Sequence, residues 1–351
     1  MTGRNRIRAI FSGEPADGVG YWSGAPHPDA ARQYKETLGV ESDIELAVAL
    51  GDDAIWIPAE GEAWRPPDGR PMWPAPELTG WIGFESLVFA SAERVTQVEG
   101  FDWPVATHFD FASVEQRIRE AHQQGLAVFG GPWCSVSTIL MGLFGTEEML
   151  VKMHTHPQIV EAAADHIAGF YEQAVTRFFT EVTEYPDVFF YASDLGTQQD
   201  LLMSPAMFRR FIRPALSRIA DAAKPFGIPI MLHSCGSVER IIDDFVDMGI
   251  TGLHPLQAKA RGMSAVELAR YRDRLVFVGG VDTQDLLPNA AASQVAAEVT
   301  RLKDVFGERY VVSPSHEALL PNVPLENVRA MRSAARRSAE TRSAPDASGG
   351  S

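Results

Sequence analysis

Short apolar runs alternate with helical patterns along the second half of the chain. The runs are rich in β-branched and aromatic residues and end at Gly, Ser, His or Pro, and they predict strands at residues 187–192, 228–233, 250–255, 275–281 and 310–313. Between them, apolar residues recur with the period of an α-helix and predict helices at residues 204–226, 238–247, 264–271 and 291–306. This alternation indicates consecutive βαβ units with parallel strands.

The first half follows the same alternation and predicts two further strands, at residues 54–58 and 127–133. Residues 147–180 are typical of one long helix or a helix pair. Residues 61–101 are rich in Pro, Trp and Gly, and we expect a hairpin inserted there over the open end of the fold. Seven strands with helical crossovers favour an α/β fold of the (β/α)8 (TIM) barrel type. An open doubly wound sheet is disfavoured because the glycine fingerprint GxGxxG and the phosphate loop GxxxxGK[ST] are both absent.

We expect one domain over residues 1–332 and a disordered tail over residues 333–351, which are mostly Ser, Ala, Arg and Gly. The chain has 31 Lys plus Arg against 46 Asp plus Glu, a net charge of −15, which argues against binding to nucleic acid or anionic membranes. No apolar run approaches the length of a membrane span, and two cysteines cannot form a disulfide framework. We therefore expect a cytoplasmic protein. The oligomeric state is left open, a homodimer included.

The polar residues at the strand ends are the candidates for chemistry, because active sites of (β/α)8 barrels lie at the C-terminal ends of the strands. A closed barrel would bring six of them to one mouth: Asp194, His233, Cys235, His254, Asp282 and His316. His233 and Cys235 are separated by one residue, so their side chains point the same way from an extended backbone. With His316 as a third ligand they predict a Zn²⁺ site, since imidazole and thiolate together suit zinc. The alternative is a buried apolar Cys235 beside a hydrogen-bonded core His233.

Several segments resemble the uroporphyrinogen decarboxylase superfamily: MLHSCGSVERIIDDFVDMGITG at residues 231–252, HPLQ at 254–257, GGVDTQDLLP at 279–288 and SPSHEALLPNVPLENVRAM at 313–331. Residues 4–15, 47–57 and 193–213 share the resemblance. The chain is more similar to the zinc-dependent, cobalamin-linked methyltransferase branch than to the porphyrinogen decarboxylase itself. The resemblance implies a single (β/α)8 barrel with its pocket at the strand C-termini. It also implies a zinc held by the HxC element and by a residue at the end of the last strand.

Two departures separate the chain from the decarboxylase. An arginine-bearing RQAGRY-type segment of that enzyme corresponds to residues 21–34, where Arg32 is the only arginine, and an FSD-type aspartate is replaced by IPAE with Glu60. A tetracarboxylate substrate needs several cationic partners, so decarboxylation of uroporphyrinogen is disfavoured. The methyltransferase branch has a cysteine at the end of the last strand, where this chain has His316. That exchange retains a Cys-His-His zinc site with an open fourth position.

The mechanism implied by the resemblance is methyl transfer between a carrier and a thiol or related small substrate bound at the zinc. The carrier is a corrinoid on a partner protein or another methyl carrier; the chain lacks the DxHxxG corrinoid-binding element. Asp194 would orient or protonate a reacting group, or serve as an outer or exchangeable ligand, or cap the next helix. Candidate substrate-binding residues are Glu60, Trp133, Tyr191, Gln198, His254 and Asp282. Asp282 would fix the tautomer of His233 or His254, or cap a helix, and His254 is an alternative fourth metal ligand.

Two other functions remain open at this point. One is a metal-free decarboxylase or other lyase that acts on a smaller acid, with Asp194 and Glu60 as acid and base. The other is a non-catalytic barrel that binds a corrinoid or tetrapyrrole.

Overall fold

Eight parallel strands form a nearly closed barrel, which confirms the predicted (β/α)8 fold. The strands are β1 (Gly20–Tyr21), β2 (Ala54–Pro58), β3 (Ala127–Gly131), β4 (Val188–Ala192), β5 (Ile230–His233), β6 (Gly252–Leu256), β7 (Val276–Val281) and β8 (Tyr310–Pro314). Each strand from β2 to β7 pairs with the next one in sequence, and β8 pairs with β1. The computed structural model describes residues 1–74 and 86–337.

The helices surround the strands and connect them. They are α1 (Gly3–Ser12), α2 (Pro28–Leu38), α3 (Asp43–Leu50), α4 (Val95–Glu99), α5 (Ala112–Gln123), α6 (Val136–Phe144), α7 (Thr146–Thr155), α8 (Pro157–Glu181), α9 (Pro205–Met207), α10 (Arg213–Ala223), α11 (Ile242–Asp247), α12 (Ala265–Leu268), α13 (Leu286–Asn289), α14 (Ala292–Phe306) and α15 (Leu325–Arg336). A π-helical turn at Phe208–Ile212 joins α9 to α10. Among the described residues, no helix has both the length and the apolarity needed to cross a membrane.

The structure differs from the sequence prediction at three places. Strand β1 has only two residues, too few for a hydrophobic period, and the sequence prediction missed it. Residues 61–74 and 86–101 form turns and helix α4 rather than strands, while the rest of the expected hairpin, residues 75–85, lies outside the described residues. Residues 333–336, expected in the tail, belong to α15 because Ala334 and Ala335 are buried against the barrel. Residues 338–351 lie outside the described residues.

The barrel interior is a separate apolar cluster, closed at the bottom by α1. Ile7, Ile10 and Phe11 of α1 are buried among the inward side chains of the strands, which include Phe129 and Phe190. The rings of Phe11 and Phe129 lie 6.1 Å apart. A second cluster fills the layer between the strands and the outer helices. Because the bottom of the barrel is filled, the C-terminal mouth is the end of the barrel that is available for chemistry.

The seam between β1 and β2 is closed by two side chains and one backbone hydrogen bond instead of a strand ladder. Asp53, just before β2, donates its backbone N–H to the carbonyl of Tyr21, and its carboxylate accepts the N–H of Tyr21 at 2.9 Å. Asp52 accepts both the N–H and the hydroxyl of Ser23, at 2.6 and 2.7 Å. The Asp53 carboxylate also forms ion pairs with Arg6 of α1 at 2.6 Å and with Arg336 of α15 at 2.7 Å. One buried carboxylate thus joins helices α1 and α15 to the seam.

We predict that Asp53→Ala lowers the free energy of unfolding by about 3–5 kcal/mol, because it leaves two guanidinium groups without their buried partner. Urea unfolding followed by circular dichroism measures this change. Asp17→Ala is the matched control: Asp17 also pairs with Arg6, but its side chain is 42% exposed, compared with 2% for Asp53. The control should cost less than about 1 kcal/mol. Equal losses in both variants would contradict the role of Asp53 in the seam.

Candidate metal centre and substrate site

The parallel strands bring most of the predicted site residues to the mouth. Asp194 lies two residues beyond β4, and His233 is the last residue of β5 with Cys235 two residues later. His254 lies within β6, and His316 follows β8 by two residues. Because all these strands run in the same direction, their side chains meet at one end of the barrel.

The loops after β4 and β5 are held together by their backbones. The N–H of Gly196 donates to the carbonyl of Cys235 at 3.2 Å, and the N–H of Ser237 donates to the carbonyl of Thr197 at 2.8 Å. The loops approach so closely that a Cβ on Gly196 would lie 2.6 Å from the nitrogen of Ser237, and one on Gly236 would lie 2.3 Å from the carbonyl carbon of Gly196. Only glycine fits at both positions, so these two glycines set the spacing between Asp194 and Cys235.

The side chains of Asp194, His233 and Cys235 lie close together, and each offers one atom that can bind a metal. We call these three residues the donor group. Nε2 of His233 lies 3.4 Å from Oδ1 of Asp194 and 3.4 Å from Sγ of Cys235. A tetrahedral zinc with bonds of about 2.1 Å to N or O and about 2.3 Å to S separates its ligand atoms by about 3.4–3.6 Å. The three side chains therefore fit a zinc ion, both in the spacing and in the chemistry of their donor atoms.

His316 also lies near Cys235 and His233. Its Nδ1 accepts the N–H of Ala318 at 3.1 Å, so Nε2 is the nitrogen left for a metal. Burial lowers the pKa of His316, but a hydrogen bond with Cys235 and the negative charge of Glu317 outweigh burial and raise the pKa. The ring centres of His316 and His233 are 6.4 Å apart. This arrangement is compatible with a third ligand, and the ligand role of His316 stays a prediction.

The surroundings of the donor group favour a negative charge on Asp194 and a positive charge on His233. Burial favours the neutral form of Asp194, yet the hydrogen bond and charge of His233 and the N–H of Cys235 outweigh burial and lower the pKa of Asp194 to about 2. Burial likewise disfavours the charged form of His233, but Glu317, Cys235 and Asp194 raise its pKa well above the usual value. The same negative environment that stabilises a proton on His233 would stabilise a metal cation.

A second group lies on the other side of the His233 ring. Nδ1 of His233 is 3.0 Å from Nδ1 of His254 and 3.7 Å from Oε2 of Glu317. Oε2 of Glu317 and Nε2 of His254 are both buried without a hydrogen-bond partner among the described residues. Glu317 is a site residue that the sequence analysis missed. Its position directly after His316 at the end of the last strand was the available signal.

Trp133 and Glu60 also reach the mouth. The ring of Trp133 is partly exposed and packs against Trp56, Phe190 and His233, with ring centres 4.7, 5.1 and 5.2 Å away. Oε1 of Glu60 accepts the backbone N–H groups of Trp133 and Cys134. Burial raises the pKa of Glu60 to about 7 despite these hydrogen bonds, and its Oε2 has no partner among the described residues.

Three predicted substrate-binding residues lie elsewhere. Side chains alternate along β4, so Phe190 points into the barrel and Tyr191 points outward, where its hydroxyl donates to the carbonyl of Leu216. Asp282 accepts the N–H groups of the turn that starts α13, which corresponds to the helix-capping alternative. Gln198 lies at the exposed rim, where its amide donates to Gln257 at 3.1 Å. None of these three side chains contacts the donor group among the described residues.

Comparisons with known proteins agree with the resemblance in the sequence. Two methylcobamide:CoM methyltransferases, from Methanosarcina barkeri and from its strain Fusaro, are 28% and 29% identical to this chain over 133 and 130 residues. These matches span 37% of this chain and 36% of each relative, so only about a third of their length is aligned. A methyltransferase from Methanosarcina mazei has the same fold, with a TM-score of 0.66 and 20% identity over 95% of this chain and 98% of that one.

The family model described as uroporphyrinogen decarboxylase (URO-D) matches residues 85–338, which is more than two thirds of the sequence. That range contains the loops after β4 and β5 and the end of β8. The chain therefore belongs to the uroporphyrinogen decarboxylase family.

Proposed function

We propose that this protein is a zinc-dependent methyltransferase that moves a methyl group between a carrier and a thiol or related small substrate. The observation that carries the proposal is the Asp194–His233–Cys235 group at the barrel mouth. In this group Nε2 of His233 lies 3.4 Å from Oδ1 of Asp194 and 3.4 Å from Sγ of Cys235. The names of the two aligned relatives, methylcobamide:CoM methyltransferases, support the same reaction class.

The proposed ligands are Nε2 of His233, Sγ of Cys235 and Nε2 of His316, with Asp194 as an outer or exchangeable group. When bound, zinc would supply Lewis acidity that lowers the pKa of a thiol substrate. The protein contributes the rest. Asp194 accepts the N–H of Cys235 at 2.9 Å and so fixes the loop that carries this residue. The ring of Trp133 packs next to His233, where it would shield a sulfur bound at the metal from water.

Methyl transfer from a corrinoid would break the carbon–cobalt bond, with its electron pair staying on cobalt, and form a sulfur–carbon bond. The thiol proton is released. The corrinoid would come from a partner protein, because the sequence has no DxHxxG element.

One observation favours a second candidate, a metal-free lyase that acts on a small acid. The pKa of Asp194 is lowered to about 2 and that of Glu60 is raised to about 7, and two carboxyl groups with separated pKa values are typical of an acid–base pair. The two candidates differ in whether Cys235 and its neighbours bind a metal and in whether Glu60 takes part in the reaction.

We predict about one zinc per chain in the wild-type protein, measured by elemental mass spectrometry on tag-free protein purified without chelators. His233→Ala and Cys235→Ala should lose the metal and keep the circular dichroism of a folded barrel, because each removes one of few ligands. His316→Ala tests the third ligand. His154→Ala is the matched control, since His154 is exposed on α7 and belongs to neither possible metal-binding group of the described residues. Full metal occupancy in both His233→Ala and Cys235→Ala would exclude the assigned site.

We predict that the zinc-loaded protein transfers methyl groups from methylcobalamin to a small thiol, followed by the absorbance change of the corrinoid. Cys235→Ala should lower the rate more than about 100-fold, because a Lewis acid contributes several kcal/mol to such a reaction. His154→Ala again serves as the control. A zinc-loaded wild-type protein that transfers methyl groups to none of a panel of neutral, cationic and anionic thiols would favour the lyase.

We predict that Glu60→Gln removes a pH dependence of stability and leaves the zinc content unchanged. The folded protein holds the Glu60 proton up to about pH 7, while the unfolded chain releases it near the ordinary pKa of 4.5. Unfolding therefore releases a proton between these pH values, and the wild-type free energy of unfolding should fall from pH 5 to pH 8 by up to about 3 kcal/mol through this group. The free energy of unfolding of Glu60→Gln should therefore rise relative to that of the wild type as pH increases.

Urea unfolding at several pH values measures this difference. Glu62→Gln is the control, because Glu62 is exposed on the same loop. A difference between Glu60→Gln and wild type that stays constant from pH 5 to pH 8 would contradict the assignment.

A further inference from the structure

We propose that His254 is a positioning residue that holds His233 in the tautomer whose Nε2 is free to bind a metal. The inference rests on the proposed zinc site and concerns a role that differs from substrate binding or metal ligation by His254 itself. It follows from the contact between two buried imidazoles, whose Nδ1 atoms are 3.0 Å apart.

Only one of the two Nδ1 atoms can carry the proton in this contact when both rings are neutral. If the proton is on His254, then Nδ1 of His233 is the acceptor and the remaining proton of His233 lies on Nε2, facing Asp194 and Cys235. If the proton is on His233, its Nε2 presents a lone pair to those two residues instead. The direction of one hydrogen bond therefore decides whether Nε2 of a neutral His233 can be a ligand.

The surrounding charges favour a proton on His233. Oε2 of Glu317 lies 3.7 Å from Nδ1 of His233, too far for a hydrogen bond but close enough to stabilise the N–H dipole or a charge on that ring. His254 is completely buried between Trp22 and Phe190, with ring centres 5.2 Å from each. With the proton of this contact on His233, the ring of His254 accepts the hydrogen bond at Nδ1.

His254 differs from the usual partner of a metal-binding histidine, which is a carboxylate or a backbone carbonyl. Here the carboxylate of Glu317 is present but displaced from hydrogen-bonding distance, and an imidazole occupies the acceptor position. The remaining proton of His254 then lies on Nε2, which has no hydrogen-bond partner among the described residues, so this tautomer leaves one buried N–H unpaired. The proposed function of His254 depends on one atom, Nδ1.

Two substitutions test the acceptor role of Nδ1 and the packing role of the ring separately. His254→Asn places an amide oxygen near the position of Nδ1 and loses the contacts with Trp22 and Phe190. His254→Phe keeps an aromatic ring between Trp22 and Phe190 and loses the acceptor. A structural role would make the asparagine variant the weaker one, whereas a positioning role would make the phenylalanine variant the weaker one.

The experiment measures zinc affinity by competition with a chromophoric chelator, together with the visible spectrum of the Co²⁺-substituted protein. We expect His254→Phe to bind zinc about 10–100-fold more weakly than wild type, and His254→Asn to stay within about threefold. His254→Leu replaces the phenylalanine variant if circular dichroism shows that the latter is unfolded. The Co²⁺ spectrum should change in the variant without the acceptor and stay close to that of wild type in His254→Asn.

Wild-type zinc affinity in His254→Phe, or in His254→Leu where that replaces it, would overturn the inference and leave the zinc site in place. Weaker binding in His254→Asn than in His254→Phe would also overturn it, because affinity would then follow packing. A wild-type protein that binds no zinc after reconstitution would overturn the zinc site and the inference together.

Discussion

The carboxylates of Asp52 and Asp53 close the barrel, and the position of the site depends on that closure. Strand β1 is too short to form a ladder with β2, so these two side chains replace the missing backbone hydrogen bonds. Trp22 lies between the two residues they hold, Tyr21 and Ser23. Its ring packs against Phe129 and His254, each with ring centres 5.2 Å away. The seam therefore supports, through one indole, the residue that contacts His233.

The strands and helices were predictable where hydrophobic periods were long enough to read. Strands β2 to β8 each have at least four residues and are separated by segments with the hydrophobic period of a helix. All seven appear at the predicted places. The seam was not predictable, because its closure depends on Asp52 and Asp53, which in sequence look like an ordinary polar turn after α3. Long-range contacts of this kind have no local pattern.

The site was predictable to the extent that the ends of parallel strands must meet. This argument brings Asp194, His233 and Cys235 together from sequence alone. It failed for Tyr191, because the direction of a side chain depends on a strand phase that an all-apolar run does not reveal. It also missed Glu317, since its place next to His316 indicates that it is near the mouth but not that it is buried. Its importance becomes visible only once its 3.7 Å distance to His233 is known.

The glycines at positions 196 and 236 have a consequence for how this site can diverge. They bind the loops after β4 and β5 into one unit, so an insertion or a larger side chain in either loop would shift Asp194 and Cys235 together. His316 is outside this unit: its ring is held by the turn that follows it, through Ala318. The residue at position 316 can therefore be exchanged while Asp194, His233 and Cys235 keep their spacing. In the proposed zinc site, the end of the eighth strand is thus the place where the set of metal ligands can change.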